Sequence, residues 1–119
     1  MKFTTIKEKN LDESAPLLYL WEIRDSATGE SIGRYLGKAK GGSQRPLEHY
    51  SRNVRRLLIG APYRKSKPHA YRTVHHALKD AVISEHQITL TLIRNVSPEE
   101  DINKAERDAI VLFNCNLNG

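Results

Sequence analysis

Several residue types are scarce in this chain, and each scarcity excludes a class of protein. The single cysteine, Cys115, cannot form an intrachain disulfide, which fits a reducing compartment. The sequence has no apolar run of about 18 residues, and Met1-Lys2-Phe3 is not followed by the apolar core of a signal peptide. It also contains no internal repeat and no low-complexity tract. We therefore expect a cytoplasmic protein with no membrane partner.

The chain does contain enough apolar sequence for one modest core. Its 119 residues are 39% hydrophobic, which suits a single domain. Lysine and arginine number 19 against 14 aspartate and glutamate, for a net charge of +5. A basic surface favours an anionic partner, and nucleic acid is the first candidate.

Hydrophobic patterning predicts three strands after a short N-terminal segment. Residues 1–16 are interpreted as an arm or edge strand, and the domain proper is expected to span 17–119. Leu17–Arg24 and Ser31–Gly37 are rich in β-favouring residues and are separated by a turn cluster, which predicts a hairpin. Residues 87–94 alternate apolar and polar side chains and predict the third strand.

Three further segments carry helical spacing. The first has Ser43 as its candidate N-cap and ends at Gly60, and the second opens at Pro68. The third starts at Ser97–Glu100, a capping box with proline at the first helical position. The predicted order is ββααβα, an α+β fold with a small three-stranded antiparallel sheet flanked by helices.

Polar side chains concentrate between the second strand and the first helix. Tyr35 and Gly37 share a strand face, and Lys38 follows directly. Arg45 and His49 are one helical turn apart, so four polar groups are expected to surround one small volume. A guanidinium binds phosphate oxygens, and a phenol or imidazole transfers protons. The alternative is a strand aromatic beside an ordinary solvated helix face.

Residues near the other end of the chain complete a known pattern. Glu106 lies in the third predicted helix, and Asn118 follows twelve residues later. With YLG at 35–37 and Arg45 ten residues after the tyrosine, they resemble the GIY-YIG nuclease superfamily. That superfamily includes the incision domain of bacterial excision-repair proteins and some homing and restriction endonucleases. The resemblance extends from about Leu17 to Asn118, and it implies that Asn118 braces the site.

This sequence departs from the family pattern in the first half of the motif. One register places Trp21 at the position of the family tyrosine. A shift of two residues places Tyr19 there instead, because the two side chains share a strand face. Tryptophan donates one hydrogen bond but cannot accept a proton. The alternative to an enzyme is therefore an inactive module that keeps the fold and binds nucleic acid or a protein.

The resemblance implies an endonuclease that hydrolyses DNA phosphodiester bonds with Mg²⁺ or Mn²⁺. In that interpretation Glu106 holds the metal and Arg45 holds the phosphate. Tyr35 accepts the proton of the attacking water, with Lys38 and the metal stabilising its ionised form. His49 is the competing base, because an imidazole titrates near neutral pH without help.

Further basic residues are candidates for contacts with the nucleic-acid backbone. They are His69, Arg52, Arg56, Arg64, Lys65 and Lys67, together with Arg55 on the same basic helix end. The alternative is a solvated basic surface. The chain offers no separate DNA-binding module, which leaves open a homodimer or a recruiting protein partner. The sequence also leaves open RNA in place of DNA.

Overall fold

The computed structural model describes residues 1–118, which form an α+β fold around one mixed sheet of four strands. The strands are β1 (Thr4–Lys7), β2 (Leu17–Arg24), β3 (Ser31–Ala39) and β4 (Gln87–Asn95). Their order in the sheet is β1-β4-β2-β3. β2 pairs antiparallel with both β3 and β4, whereas β1 pairs parallel with β4.

The prediction of a strictly three-stranded antiparallel sheet is wrong, because the N-terminal segment adds a parallel strand. All four residues of β1 are exposed, so no apolar alternation marks this strand in the sequence. Just before it, the ring of Phe3 packs edge-on against Trp21 at a centroid distance of 5.1 Å. Of the two interpretations of this segment, an arm or an edge strand, the structure shows an edge strand. The expected domain range 17–119 ends on Gly119, which lies outside the described residues.

Three α-helices flank the sheet in the described part of the chain. They are α1 (Tyr50–Leu58), α2 (Thr73–Ile83) and α3 (Ile102–Leu112). A π-helical turn, Arg45–His49, leads directly into α1. Such turns are rare and are frequent at functional sites. Within residues 1–118, no helix is both long enough and apolar enough to cross a membrane.

The first two helices do not begin at their predicted signals. The Ser43 hydroxyl donates to Glu13 at 3.0 Å instead of capping the first helix. Pro68 lies in an irregular loop, and α2 begins only after Arg72. The backbone N–H of Arg72 donates to Nδ1 of His75 at 3.1 Å. Hydrogen bonds with side chains that the sequence did not indicate thus determine where the first two helices begin.

The third helix also begins later than its capping box predicted. The carboxylate of Glu100 accepts from the backbone N–H of Ser97 at 2.9 Å, but this bond closes a turn that precedes the helix. Asp101 is the N-cap, and its side chain accepts from the N–H of Asn103 at 2.9 Å.

Helices pack against both faces of the sheet. Alternate side chains of β3 therefore point toward different helices. Tyr19 and Trp21 of β2 pack with the core residues of α1 and α2 on one face. Leu18 of β2 packs with α3 on the other. β3 is the outer strand, with Tyr35 on the α1–α2 face and Leu36 on the α3 face.

Candidate nuclease site

Three tyrosine hydroxyls meet around the guanidinium of Arg72 on the α1–α2 face of the sheet. Nη1 of Arg72 donates to Oη of Tyr35, and Nη2 donates to Oη of Tyr50, each at 2.8 Å. The hydroxyls of Tyr50 and Tyr19 are hydrogen-bonded at 2.7 Å. These four residues are termed the tyrosine cluster. They come from β2, β3, α1 and the residue that precedes α2.

The pairing of β2 with β3 explains the glycine of the YLG element. Tyr19 lies directly opposite Gly37 in the register. A Cβ atom at position 37 would overlap the Tyr19 ring, so only glycine allows the phenol to lie across β3. This packing places the Tyr19 hydroxyl inside the tyrosine cluster.

Trp21 occupies the core and takes no part in the cluster. It is 1% exposed, and its indole Nε1 has no hydrogen-bond partner in the described chain. Its ring packs against Phe3 and Tyr50. Tyr19, and not Trp21, therefore contributes the β2 hydroxyl of the tyrosine cluster.

Burial sets the protonation of the inner phenols. It raises the pKa of Tyr19 to about 12, and it also raises that of Tyr50, assisted by the neighbouring Tyr19. Burial alone would lower the pKa of Arg72, but the phenols of Tyr50 and Tyr35 outweigh this and raise it. Tyr19 and Tyr50 are thus neutral hydrogen-bonding groups at neutral pH. Tyr35 is the half-buried member that reaches solvent.

A cleft of about 450 Å³ lies beside the tyrosine cluster and is termed the arginine cleft. Its lining contains five arginines and no aspartate or glutamate. The lining residues are Arg45, His49, Tyr50, Arg52, Asn53, Arg56, Tyr63, Arg64, Arg72 and His75. None of the ion pairs formed within residues 1–118 involves any of them. The cleft is therefore an uncompensated cationic surface that suits an anion.

His75 closes the inner wall of the arginine cleft. It is 2% exposed, and its Nδ1 accepts from the backbone N–H of Arg72. Its Nε2 is 3.5 Å from Nδ2 of Asn53. Burial and the neighbouring charge of Arg72 lower the pKa of His75 to about 4. A neutral imidazole thus fixes the backbone of the residue that binds Tyr35 and Tyr50.

Lys38 and Glu106 lie on the opposite, α3 face of β3. Nζ of Lys38 is 3.5 Å from Oε1 of Glu106, and it donates to Oδ1 of Asn103. Strand alternation directs Lys38 away from Tyr35, which corrects the expectation that both surround one small volume. Arg72 is the cation that contacts the Tyr35 hydroxyl.

Asn118 braces the outer edge of β3. Its Oδ1 accepts from the backbone N–H of Leu36 at 2.8 Å, and its Nδ2 donates to the Leu36 carbonyl at 2.7 Å. Asn116 makes the same pair of bonds to Arg34 N–H and Ile32 C=O, at 2.8 and 3.1 Å. The two asparagines fix the backbone on either side of Tyr35.

Glu106 and Asn103 on α3 are the oxygen-bearing side chains that could hold a metal ion at this face. They are one helical turn apart, and both contact Lys38. Residues 1–118 contain no group of three or more histidine, cysteine, aspartate or glutamate side chains able to hold a metal. Mg²⁺ keeps several waters and often takes only one or two protein carboxylates. The Glu106 carboxylate, 22% exposed and 3.5 Å from Lys38, would be the single carboxylate of such a site.

Apart from Tyr19, Trp21 and Asn118, described above, the predicted site residues fall into three groups. Tyr35, Arg45 and His49 surround the tyrosine cluster and the arginine cleft, and the predicted DNA contacts Arg52, Arg56 and Arg64 also line that cleft. Lys38 and Glu106 are paired on the other face of β3. Lys65, Lys67 and His69 are exposed on the loop between α1 and α2, outside the cleft lining.

Sequence reasoning missed three residues of this site. Tyr50 has the spacing of a core residue on a helix, which conceals its hydroxyl contacts. Arg72 and His75 carry only a weak signal, an arginine immediately before an apolar helical repeat with a histidine three residues later. Comparisons with protein-family models, curated proteins and solved structures give no match to this chain. The geometry described above is therefore the basis for assigning a function.

Proposed function

We propose that this protein is a metal-dependent endonuclease that hydrolyses DNA phosphodiester bonds at the outer edge of β3. One observation carries the proposal. The Tyr35 hydroxyl lies beside an arginine cleft that contains no carboxylate, and the pair Lys38–Glu106 lies on the other face of the same strand. No further strand pairs with the outer edge of β3 in the described chain, but the C-terminal segment bonds to its backbone from Ile32 to Leu36, so we place the phosphate next to the end of this contact, where Tyr35 and Lys38 lie on opposite faces.

The chain supplies an anion site and a proton acceptor in this arrangement. Arg45 contributes a guanidinium whose N–H groups match the non-bridging oxygens of a phosphate. In its phenolate form Tyr35 accepts the proton of the attacking water and becomes a neutral phenol, and the N–H of Arg72 stabilises the phenolate before this transfer. His49 lines the same cleft and is the alternative acceptor. Bound at Glu106, Mg²⁺ or Mn²⁺ supplies electrostatic stabilisation of the phosphate and leaving oxygen.

Nicking of supercoiled plasmid DNA in the presence of Mg²⁺ or Mn²⁺ tests the proposal. We expect Glu106→Ala and Tyr35→Phe each to lower the rate by at least about 100-fold. Asp108→Ala is the matched control, because Asp108 is an exposed carboxylate on the same helix whose ion pair within residues 1–118 is with Lys104. Activity that Glu106→Ala leaves unchanged would contradict the assigned site.

A binding module without turnover is the second candidate, and one feature favours it. Glu106 is already paired with Lys38, and Nη1 and Nη2 of Arg72 each donate to a phenol. These groups thus have protein partners without a substrate. Metal-independent binding with no cleavage of single-stranded, duplex, flap or branched DNA, or of RNA, would support this second candidate.

A further inference from the structure

Cationic side chains form a continuous stripe along the first helical segment. Arg45, His49, Arg52 and Arg56 recur every three or four residues, and all four line the arginine cleft. Side chains at this spacing share one helix face. From first to last they extend about 15 Å along the axis, at about 1.5 Å per residue. The stripe is therefore much longer than a single phosphate group.

A second wall faces this stripe. Arg64 comes from the loop between α1 and α2, and Arg72 from the residue that precedes α2. Arg72 and Tyr50 line the cleft and are bonded to each other, so the tyrosine cluster borders the cleft. Arg56 lies near the C-terminal end of α1, where it donates to the carbonyl of Pro62 at 2.7 Å. The cleft thus leads from the tyrosine cluster along α1.

The charge of the cleft exceeds what one phosphodiester requires. Five guanidiniums line it, and no carboxylate neutralises any of them within residues 1–118. A single phosphodiester carries one negative charge, whereas a strand presents a regular row of them. Neighbouring phosphates of one strand are about 3.4 Å apart along the axis of B-DNA, less than one α-helical turn of about 5.4 Å, so the stripe can lie beside more than one phosphate.

We infer that the arginine cleft binds the backbone of one DNA strand, on one side of the cleaved bond, through about two or three successive phosphates. This inference rests on the proposed function, and it defines the substrate as a strand rather than a small phosphodiester. The recognition is independent of base sequence, because guanidiniums that contact phosphates carry no base information.

Equilibrium binding of labelled single-stranded DNA, measured by fluorescence anisotropy over a series of salt concentrations, tests the inference. The experiment uses Glu106→Ala protein without divalent metal, so that binding is separated from cleavage. We expect Arg52→Ala to weaken binding and to reduce the slope of log K against log salt by about 0.7, the value for one phosphate contact on a single strand. Adding Arg64→Ala reduces the slope by about as much again.

Arg55→Ala is the matched control for these variants. Arg55 lies on the same helix but lines a small pocket with Phe3 and Trp21 on another side, so the same change in charge leaves the cleft intact. An equal change in slope for Arg55→Ala would overturn the inference. So would equal affinity for a dinucleotide with one phosphodiester, equal affinity for polyglutamate, or strong dependence on base sequence.

The outcomes of the two experiments are distinguishable. Slope changes confined to the cleft variants, in a protein that cleaves no DNA, support the strand-binding cleft and refute the nuclease. Plasmid nicking that depends on Glu106, with a salt slope that Arg52→Ala leaves unchanged, supports the nuclease and refutes the strand-binding cleft.

Discussion

Arg72 connects parts of the protein that are far apart in the sequence. Its guanidinium links Tyr35 on β3 to Tyr50 on α1, and its backbone is held by His75 on α2. A planar guanidinium can donate to two hydroxyls at once in a fixed geometry, which the single ammonium of lysine does not reproduce. Arg72 therefore positions Tyr35 and adds positive charge to the cleft at the same time.

The low pKa of His75 makes stability depend on pH in a defined window. The folded chain holds His75 neutral down to a pKa of about 4, whereas the unfolded chain protonates it near 6.5. Between these values the unfolded state binds the additional proton, so stability falls as pH falls. We expect a loss on the order of 1–2 kcal/mol from this group between pH 7 and pH 5, measured by urea unfolding.

His75→Asn is the comparison that isolates this effect. An asparagine Oδ1 can accept from the Arg72 N–H where the imidazole Nδ1 does, and asparagine does not titrate. The variant should lose less stability than the native chain over the same pH interval. If both chains lose the same free energy, His75 is not the group responsible.

Spacing in the sequence predicts the positions of some of these side chains but not of others. Arg45 and His49 could be placed together because one helical turn separates them. Arg72 and His75 could not, because their contacts depend on how the loop before α2 returns to β3. Lys38 was expected beside Tyr35 because of its closeness in the chain, but strand alternation places it on the other face.

β3 depends on hydrogen bonds from the C-terminal segment. Asn118→Ala removes two hydrogen bonds to Leu36, next to Tyr35. We expect a loss of about 1–3 kcal/mol in the free energy of unfolding, because two backbone groups lose their partner. The rate of plasmid nicking should also fall, since the strand that positions Tyr35 is less well held.

Asn116→Ala is the natural reference for that variant. It removes equivalent bonds to Arg34 and Ile32, further from Gly37 and Lys38. We expect a similar loss of stability and a smaller loss of activity. Equal loss of activity in both variants, at equal stability, would mean that Asn118 acts only through the fold.

Strands with strong patterning were predictable, whereas helix starts were not. β2, β3 and β4 match their predicted ranges within two residues, because apolar runs and turn clusters mark them. The start of a helix depends on tertiary contacts. For example, the Ser43 hydroxyl donates to Glu13 and so does not cap the first helix. Cap signals of this kind are local, and a distant carboxylate can take the hydroxyl.

The N-terminal segment packs against the rest of the domain at several points. β1 covers the edge of β4, Phe3 packs on Trp21, and Lys7 pairs with Glu13 at 2.7 Å. We expect removal of residues 1–8 to lower the free energy of unfolding by about 2–4 kcal/mol, because apolar surface on Trp21 becomes exposed. Chemical denaturation of the truncated chain measures this loss.

Phe3→Ala separates packing from strand pairing in that experiment. It keeps β1 but removes the ring that contacts Trp21, and it should account for about 1–2 kcal/mol of the loss. An unchanged unfolding midpoint in the truncated chain would show that β1 contributes nothing to stability. The sequence left an arm and an edge strand open for this segment, because the four exposed residues of β1 pair in parallel and leave no apolar pattern.

The sole tryptophan provides an internal optical reporter for this protein. Trp21 is buried, has no hydrogen-bond partner for its indole N–H within the described chain, and touches both Phe3 and Tyr50. Its fluorescence therefore arises from one apolar environment, which lies between the N-terminal strand and the tyrosine cluster. Emission from a single site can follow unfolding, and also any rearrangement of Tyr50 when the cleft is filled, without an attached dye.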